Sequence, residues 1–260
     1  MKLDSYYLPL DQEVRIFSLA AQKQLPVLIK GPTGCGKTRF VEHMAEKLNR
    51  PVYTIACHDD LTATDLVGRY LIGPEGTYWQ DGPVTRAVKE GGICYLDEVV
   101  EARKDTTVVL HPLSDHRRVL SISQTGETIK AHEDFMLVIS YNPGYQNVLK
   151  GLKPSTRQRF VAMRFDYQAP EKVVMIICQE TGIQKQIAQQ LVALANDLRR
   201  LNDHDIEEAA STRLLIYAAM MIHAGMSIKN ACIACLAEPV SDDAETLAVI
   251  ETLIDSYFVS

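Results

Sequence analysis

The stretch Gly31-Pro-Thr-Gly-Cys-Gly-Lys37-Thr38 constrains this chain more than any other, because it fills every fixed position of the pattern G-x-x-x-x-G-K-T. An apolar run, Leu25 to Ile29, precedes it and a helical segment follows. After a strand, Gly31, Gly34 and Gly36 let the backbone turn sharply enough to aim several N–H groups at phosphate oxygens, and the positive end of the following helix adds to that field. Pro32, Thr33 and Cys35 supply the intervening backbone. Lys37 is placed to reach the terminal phosphates and Thr38 to offer its hydroxyl to Mg²⁺. The segment is expected to grip nucleotide phosphates.

The surrounding pattern predicts an α/β fold. Short apolar runs at Val27 to Ile29, Val52 to Ala56, Ile93 to Leu96, Phe135 to Ser140 and Val161 to Phe165 read as strands, and helical periodicity alternates with them. Phe40, Val41, Met44, Ala45 and Leu48 mark one such helix, which Asn49-Arg50-Pro51 stops. Alternation of this kind predicts a parallel sheet with helices on both faces. Arg118 to Ala131 reads as a β-hairpin turning at Gly126, just before the fourth strand. Beyond Ala169-Pro170 only helical periodicity remains, as in Ile187, Leu191, Leu194, Leu198 and Leu201 and again in Leu247, Ile250, Ile254 and Tyr257. We therefore expect a nucleotide-binding α/β core over residues 1–169 and an all-helical domain over 170–260.

Three further segments fall where a nucleotide site would need them. Gly92-Ile-Cys-Tyr-Leu-Asp97-Glu98 reads as a Walker B strand, with Asp97 holding Mg²⁺ and Glu98 polarising the attacking water. The strand ending Val138-Ile-Ser-Tyr-Asn142-Pro143 offers Asn142 to position that water or sense the γ-phosphate. In Lys153-Pro-Ser-Thr-Arg157-Gln-Arg159-Phe160, Arg159 is the first candidate and Arg157 the second for a cation supplied to a neighbouring subunit's γ-phosphate. In the helical domain, Ser211 is a plausible N-cap and Arg213 a candidate to return to the phosphates.

Composition narrows the partners. A net charge of −6 and a pI near 5.7 argue against a dedicated nucleic-acid surface, which draws on clustered cations. A protein target is expected instead. No apolar run approaches a bilayer span, and the N-terminus lacks the basic-then-apolar order of a signal peptide, so a cytoplasmic location without membrane insertion is expected. The six cysteines fit that compartment. Cys232 and Cys235 form a C-x-x-C, but in a helical setting with no second ligand pair they read as core residues rather than a redox or zinc site.

Taken in order, Walker A, Walker B with Asp97-Glu98, Asn142, Arg159 and Arg213 resemble an AAA+ ATPase, and the strand–hairpin–strand insertion resembles its MoxR branch. The likeness is closer still to the CbbQ/NirQ/NorQ group, carried by Leu28-Ile-Lys-Gly-Pro-Thr-Gly-Cys-Gly-Lys, Asp60-Leu-Thr-Ala-Thr-Asp-Leu-Val-Gly-Arg, Ile93-Cys-Tyr-Leu-Asp-Glu-Val-Val-Glu-Ala-Arg and Val138-Ile-Ser-Tyr-Asn-Pro-Gly-Tyr-Gln. The resemblance implies an ATP-hydrolysing homo-oligomer, usually a hexameric ring, with ATP and Mg²⁺ between subunits and Arg159 completing a neighbour's site. It also implies a chaperone-like role with a partner carrying a von Willebrand factor A domain. Release of inhibitory sugar phosphates from rubisco is the leading expectation, and maturation or activation of nitric oxide reductase the alternative.

In such rings the segment matching Leu61 to Gln80, with Arg69, Tyr70, Tyr78 and Trp79, carries a pore loop, and the hairpin near Gln124 to Glu127 is a second candidate. Tyr78 and Trp79 can equally be read as a local core beneath the insertion. A nucleotide-dependent scaffold and a small-molecule kinase are the rival readings. Glu98 speaks against the first, and the Asn142, Arg159 and Arg213 series against the second.

Overall fold

The computed structural model describes residues 6–103, 106, 108–143, 152–201 and 210–258. The chain divides into two compact units. One holds Pro9–Pro32 and Lys37–Phe165; the other holds Asp166–Ser260 together with Met1–Leu8 and the loop tip Thr33–Gly36.

In the first unit, α1 (Glu13–Gln22) leads into β1 (Val27–Lys30), and α2 (Lys37–Leu48) into β2 (Val52–Ala56). A short α3 (Ala63–Val67) opens on a capping box in which Thr62 and Asp65 satisfy each other's backbone amides. The antiparallel pair β3 (Gly68–Gly73) and β4 (Gly76–Asp81) follows, and Gly73 pairs with Gly76 across a tight turn at Pro74-Glu75. Next come α4 (Pro83–Glu90), β5 (Ile93–Asp97), the hairpin β6 (Val119–Ile122) and β7 (Glu127–Lys130), β8 (Met136–Tyr141), the short α5 (Pro154–Arg157) and β9 (Val161–Arg164). The hairpin turns at Gly126, whose φ of 74° suits glycine.

The main sheet is parallel and five-stranded, in the order β2-β5-β8-β1-β9. Its central strands are apolar because both faces are covered: β8 is buried at every position and β5 at all but Asp97. Phe17, Phe40 and Phe165 pack on one another, with ring centroids 5.3 and 5.0 Å apart. The order has a chemical consequence. The carboxyl ends of β1, β5 and β8 lie side by side, and these are where the P-loop, Asp97-Glu98 and Asn142 begin.

The insertion pair β3–β4 divides its aromatics. Tyr70 and Tyr78 are exposed and Ile72 is 92% exposed, whereas Trp79 packs against the core, donates its indole N–H to Asp81 and meets Tyr70 edge-on. Tyr78 and Trp79 thus have different fates, because neighbouring positions on a strand face opposite ways.

The second unit is helical: α6 (Pro170–Thr181), α7 (Lys185–Leu201), α8 (Thr212–His223), α9 (Ile228–Cys232), a π-helical turn at Ile233–Ala237 and α10 (Ala244–Tyr257). Leu191, Leu194, Leu198, Ile250 and Ile254 form its core, as their spacing predicts; Leu247 and Tyr257 pack at its edge, and the side chain of Leu201 lies outside the described residues. Cys232 is buried and Cys235 partly so, both packed in that core, and burial pushes the Cys232 thiol up to about 12. Both are inert hydrophobes here. Among the described residues no helix is long and apolar enough to cross a membrane.

Candidate active site

The site is built where β1, β5 and β8 end. Gly34 (φ 70°) and Gly36 (φ 96°) hold the P-loop in left-handed conformations that side chains rarely adopt. A Cβ on Gly36 would meet nothing within 4 Å, so there the glycine serves backbone shape and leaves open space beside it. Lys37, buried to 6% exposure, sends its ammonium back to the carbonyls of Gly31 (2.8 Å) and Pro32 (2.9 Å). The same ammonium lies 3.6 Å from Glu98 Oε1. Thr38, one residue into α2, donates to Asp97 Oδ2 at 3.2 Å.

Asp97 and Glu98 are consecutive, and on a regular strand they would face opposite ways. Glu98 instead adopts φ 51°, ψ 49°, a left-handed conformation that costs a non-glycine residue roughly 1–2 kcal/mol. Its carboxylate reaches Lys37 and accepts the backbone N–H of Asn142 at 3.1 Å. Burial pushes the Glu98 carboxyl above its ordinary pKa and Asp97 adds to that push, while Lys37 and the Asn142 amide pull the other way. A strained backbone and a raised carboxyl thus coincide at one position.

Two hydroxyls not singled out in the sequence complete the cluster. Ser140 Oγ and Tyr95 Oη lie 2.5 and 2.8 Å from Asp97 Oδ1 and 3.1 Å from one another, and Ser140 also accepts the Glu98 N–H at 3.4 Å. Both residues are fully buried. Burial raises the Tyr95 phenol far above its usual range, so it stays a donor. The signal for them was present: each is a polar group two residues before a site residue, hence on the same face of its strand.

Lys37, Thr38, Asp97, Glu98 and Asn142 are thereby brought together. The three arginine candidates are all exposed. Arg159 is exposed, donates to the His111 carbonyl at 3.2 Å and lies 3.7 Å from Asp115. Arg157 is exposed at the end of α5, and Arg213 is exposed in the first turn of α8, where Ser211 caps the helix by accepting the N–H of Leu214. Gly144, Tyr145 and Gln146 lie outside the described residues.

The residues fit a magnesium nucleotide. Thr38 and Asp97 present only oxygen donors, suited to Mg²⁺, and among the described residues no cluster of His, Cys, Asp or Glu forms a metal cage by itself. A cation held by so few protein ligands has to share its shell with phosphates and water.

Residues 26–160 match the AAA domain (dynein-related subfamily), and residues 174–257 match the CbbQ/NirQ/NorQ C-terminal family. Denitrification regulatory protein NirQ of Stutzerimonas stutzeri is 63% identical, covering 97% of this chain and 92% of its own. Protein NorQ of Paracoccus denitrificans is 58% identical over 97% of this chain and 94% of its own, and Protein CbbQ of Hydrogenophilus thermoluteolus 50% over 99% and 97%. A solved RuvB chain of Thermotoga maritima shares the fold with a TM-score of 0.60 at 14% identity, covering 97% of this chain and 73% of that one. The ranking corrects one expectation: the CbbQ relative is less similar than the NirQ and NorQ relatives, so CbbQ is not the favoured member of the group. The chain belongs to the CbbQ/NirQ/NorQ family of AAA+ ATPases.

Proposed function

We propose that this ATPase works as a ring of like subunits, in the manner of NirQ and NorQ, to mature or activate nitric oxide reductase together with a partner bearing a von Willebrand factor A domain. The P-loop from Gly31 to Thr38 binds the phosphates of ATP through backbone N–H groups and Lys37. Thr38 and Asp97 hold Mg²⁺, which when bound neutralises charge on the β- and γ-phosphate oxygens. Glu98 accepts the proton of the attacking water and Asn142 fixes that water's position. Arg159, from a neighbouring subunit, meets the charge developing on the γ-phosphate, with Arg157 as the second candidate. Arg213 is the further candidate to contact the phosphates. The exposed Tyr70, Ile72 and Tyr78 of the β3–β4 insertion are surfaces on which hydrolysis acts on a protein target.

The observation that carries the choice of target is the order of identity, 63% and 58% to NirQ and NorQ against 50% to CbbQ, each over nearly the whole chain. Active-site chemistry cannot make that choice, since it serves either target. The test is coexpression of nitric oxide reductase and the partner with this chain or its Glu98→Gln variant. Reductase activity is expected with the wild type and not with the variant. Equal activity without the chain, alongside chain-dependent release of sugar phosphate from inhibited rubisco, would reverse the assignment.

A further inference from the structure

Outside the catalytic cluster, the second compact unit contains a closed circuit of contacts. The phenol of Tyr167 donates to the carbonyl of Thr33 at 3.1 Å. The Arg199 guanidinium lies over the Tyr167 ring, 4.1 Å from its centroid. Its Nε and Nη2 both donate to the carbonyl of Ala210, at 3.0 and 2.7 Å, while Nη1 donates to Asn196 at 3.1 Å. Ala210 is buried and precedes Ser211, the cap of α8. Ser211 closes the circuit on Gly34: a Cβ built there would fall 2.4 Å from the Ser211 Cβ and 2.7 Å from its Oγ. Gly34 adjoins Thr33, and all these residues belong to one compact unit.

Each link is hard to replace. A planar guanidinium is able to stack on a ring and send a fork of N–H groups to one carbonyl at once, which an ammonium cannot do. Arg199 is half-buried, and burial lowers its pKa, so the charge needs these partners. Gly34 has a left-handed φ and no room for a side chain, so the approach of Ser211 fixes the residue type as firmly as the loop does. The loop tip is therefore held on two sides, through the Thr33 carbonyl by Tyr167 and at Gly34 by Ser211.

We infer that Tyr167 and Arg199 are positioning residues of ATP hydrolysis, locking the P-loop tip to the first turn of α8 so that Arg213 is presented in a fixed register. The inference rests on the role given to Arg213 above. Phosphate-facing amides and the arginine-bearing turn then move as one body, and loosening either link blurs the placement of Arg213 without removing any group that touches ATP. Misplacement of this kind lowers turnover more than binding.

The test is steady-state hydrolysis by Tyr167→Phe, Arg199→Lys, Arg213→Ala and the two double variants that include Arg213→Ala, with Glu98→Gln as control. Tyr167→Phe removes one hydroxyl and keeps the ring beneath Arg199, so it remains informative where Arg199→Lys folds poorly. Each single variant is expected to lose kcat by on the order of ten- to a hundred-fold with KM changed far less. Each double variant is expected to be no slower than Arg213→Ala alone, because both act through that side chain. Wild-type kcat in Tyr167→Phe and Arg199→Lys, or losses that multiply with Arg213→Ala, would overturn the inference while leaving the catalytic assignment intact if Glu98→Gln is inactive. Wild-type turnover in Glu98→Gln would remove the catalytic assignment itself.

Discussion

The Lys37 ammonium lies 3.6 Å from the Glu98 carboxylate, so the residue proposed to grip phosphate and the residue proposed to activate water are electrostatically coupled within one subunit. Phosphate and carboxylate then draw on the same cation. In the proposed mechanism, a Lys37 drawn toward a γ-phosphate would hold Glu98 less firmly, which would raise the proton affinity of that carboxylate. The left-handed backbone at Glu98 permits this arrangement.

The pH profile of turnover follows from the same pair. Burial holds the Glu98 pKa above the ordinary glutamate range, and a base works only when deprotonated, so activity is present above that raised pKa and lost as pH falls through it. The acid limb of kcat/KM, which reports the nucleotide-free site, is expected above the range of a free glutamate. A limb at or below that range would show that Glu98 does not set it.

Ser140 and Tyr95 orient Asp97 without facing the nucleotide phosphates themselves in the proposed arrangement. Ser140→Ala is expected to raise the Mg²⁺ concentration needed for half-maximal hydrolysis by about tenfold, in line with losses of partners behind metal ligands. Tyr95→Phe acts in the same direction. Magnesium titration of ATPase activity checks both, and unchanged titrations would mean Asp97 needs neither.

Arg159 is the candidate whose role is defined by a second copy of the chain. Arg159→Ala and Lys37→Ala subunits are each expected to be inactive alone. Mixed, they create sites with an intact P-loop on one side and an intact Arg159 on the other, and hydrolysis is expected to return. No recovery in subunits shown to co-assemble would shift the role to Arg157 or to none.

Arg118 makes a stability prediction independent of chemistry. Its guanidinium donates to the carbonyls of Gln24, His132 and Phe135 and lies over the Phe135 ring. It thus pins the turn before β1 to the segment between β7 and β8. Arg118→Met strands those acceptors and is expected to lower unfolding free energy by about 2–3 kcal/mol, read from denaturant midpoints. A shift near zero would mean water replaces the bonds.

Much of this was legible in the sequence, for physical reasons that differ by element. The central strands β1, β5 and β8 are buried and read as short apolar runs, while the edge strands β2 and β9 are only partly covered yet keep enough apolar residues to be seen; the observed ends depart from the expected ones by a residue at Lys30, Asp97, Met136, Tyr141 and Arg164. The β3–β4 pair is not legible as strands in the sequence, because it is mostly exposed and supplies little apolar contrast. Tyr95 and Ser140 do not stand out in the sequence, because a hydroxyl within an apolar run looks like strand filler until its neighbour across the sheet is known. Glu98's conformation is invisible to periodicity. The Tyr167, Arg199 and Ala210 circuit joins residues whose local sequence context gives no reason to pair them.

The most direct measurement is parallel ATP binding and phosphate release by the wild type and Glu98→Gln. The variant is expected to bind ATP with Mg²⁺ about as tightly as the wild type, because Lys37, Thr38 and Asp97 are untouched, while phosphate release falls by at least on the order of a hundred-fold. Wild-type phosphate release from Glu98→Gln would show that Glu98 is not the base.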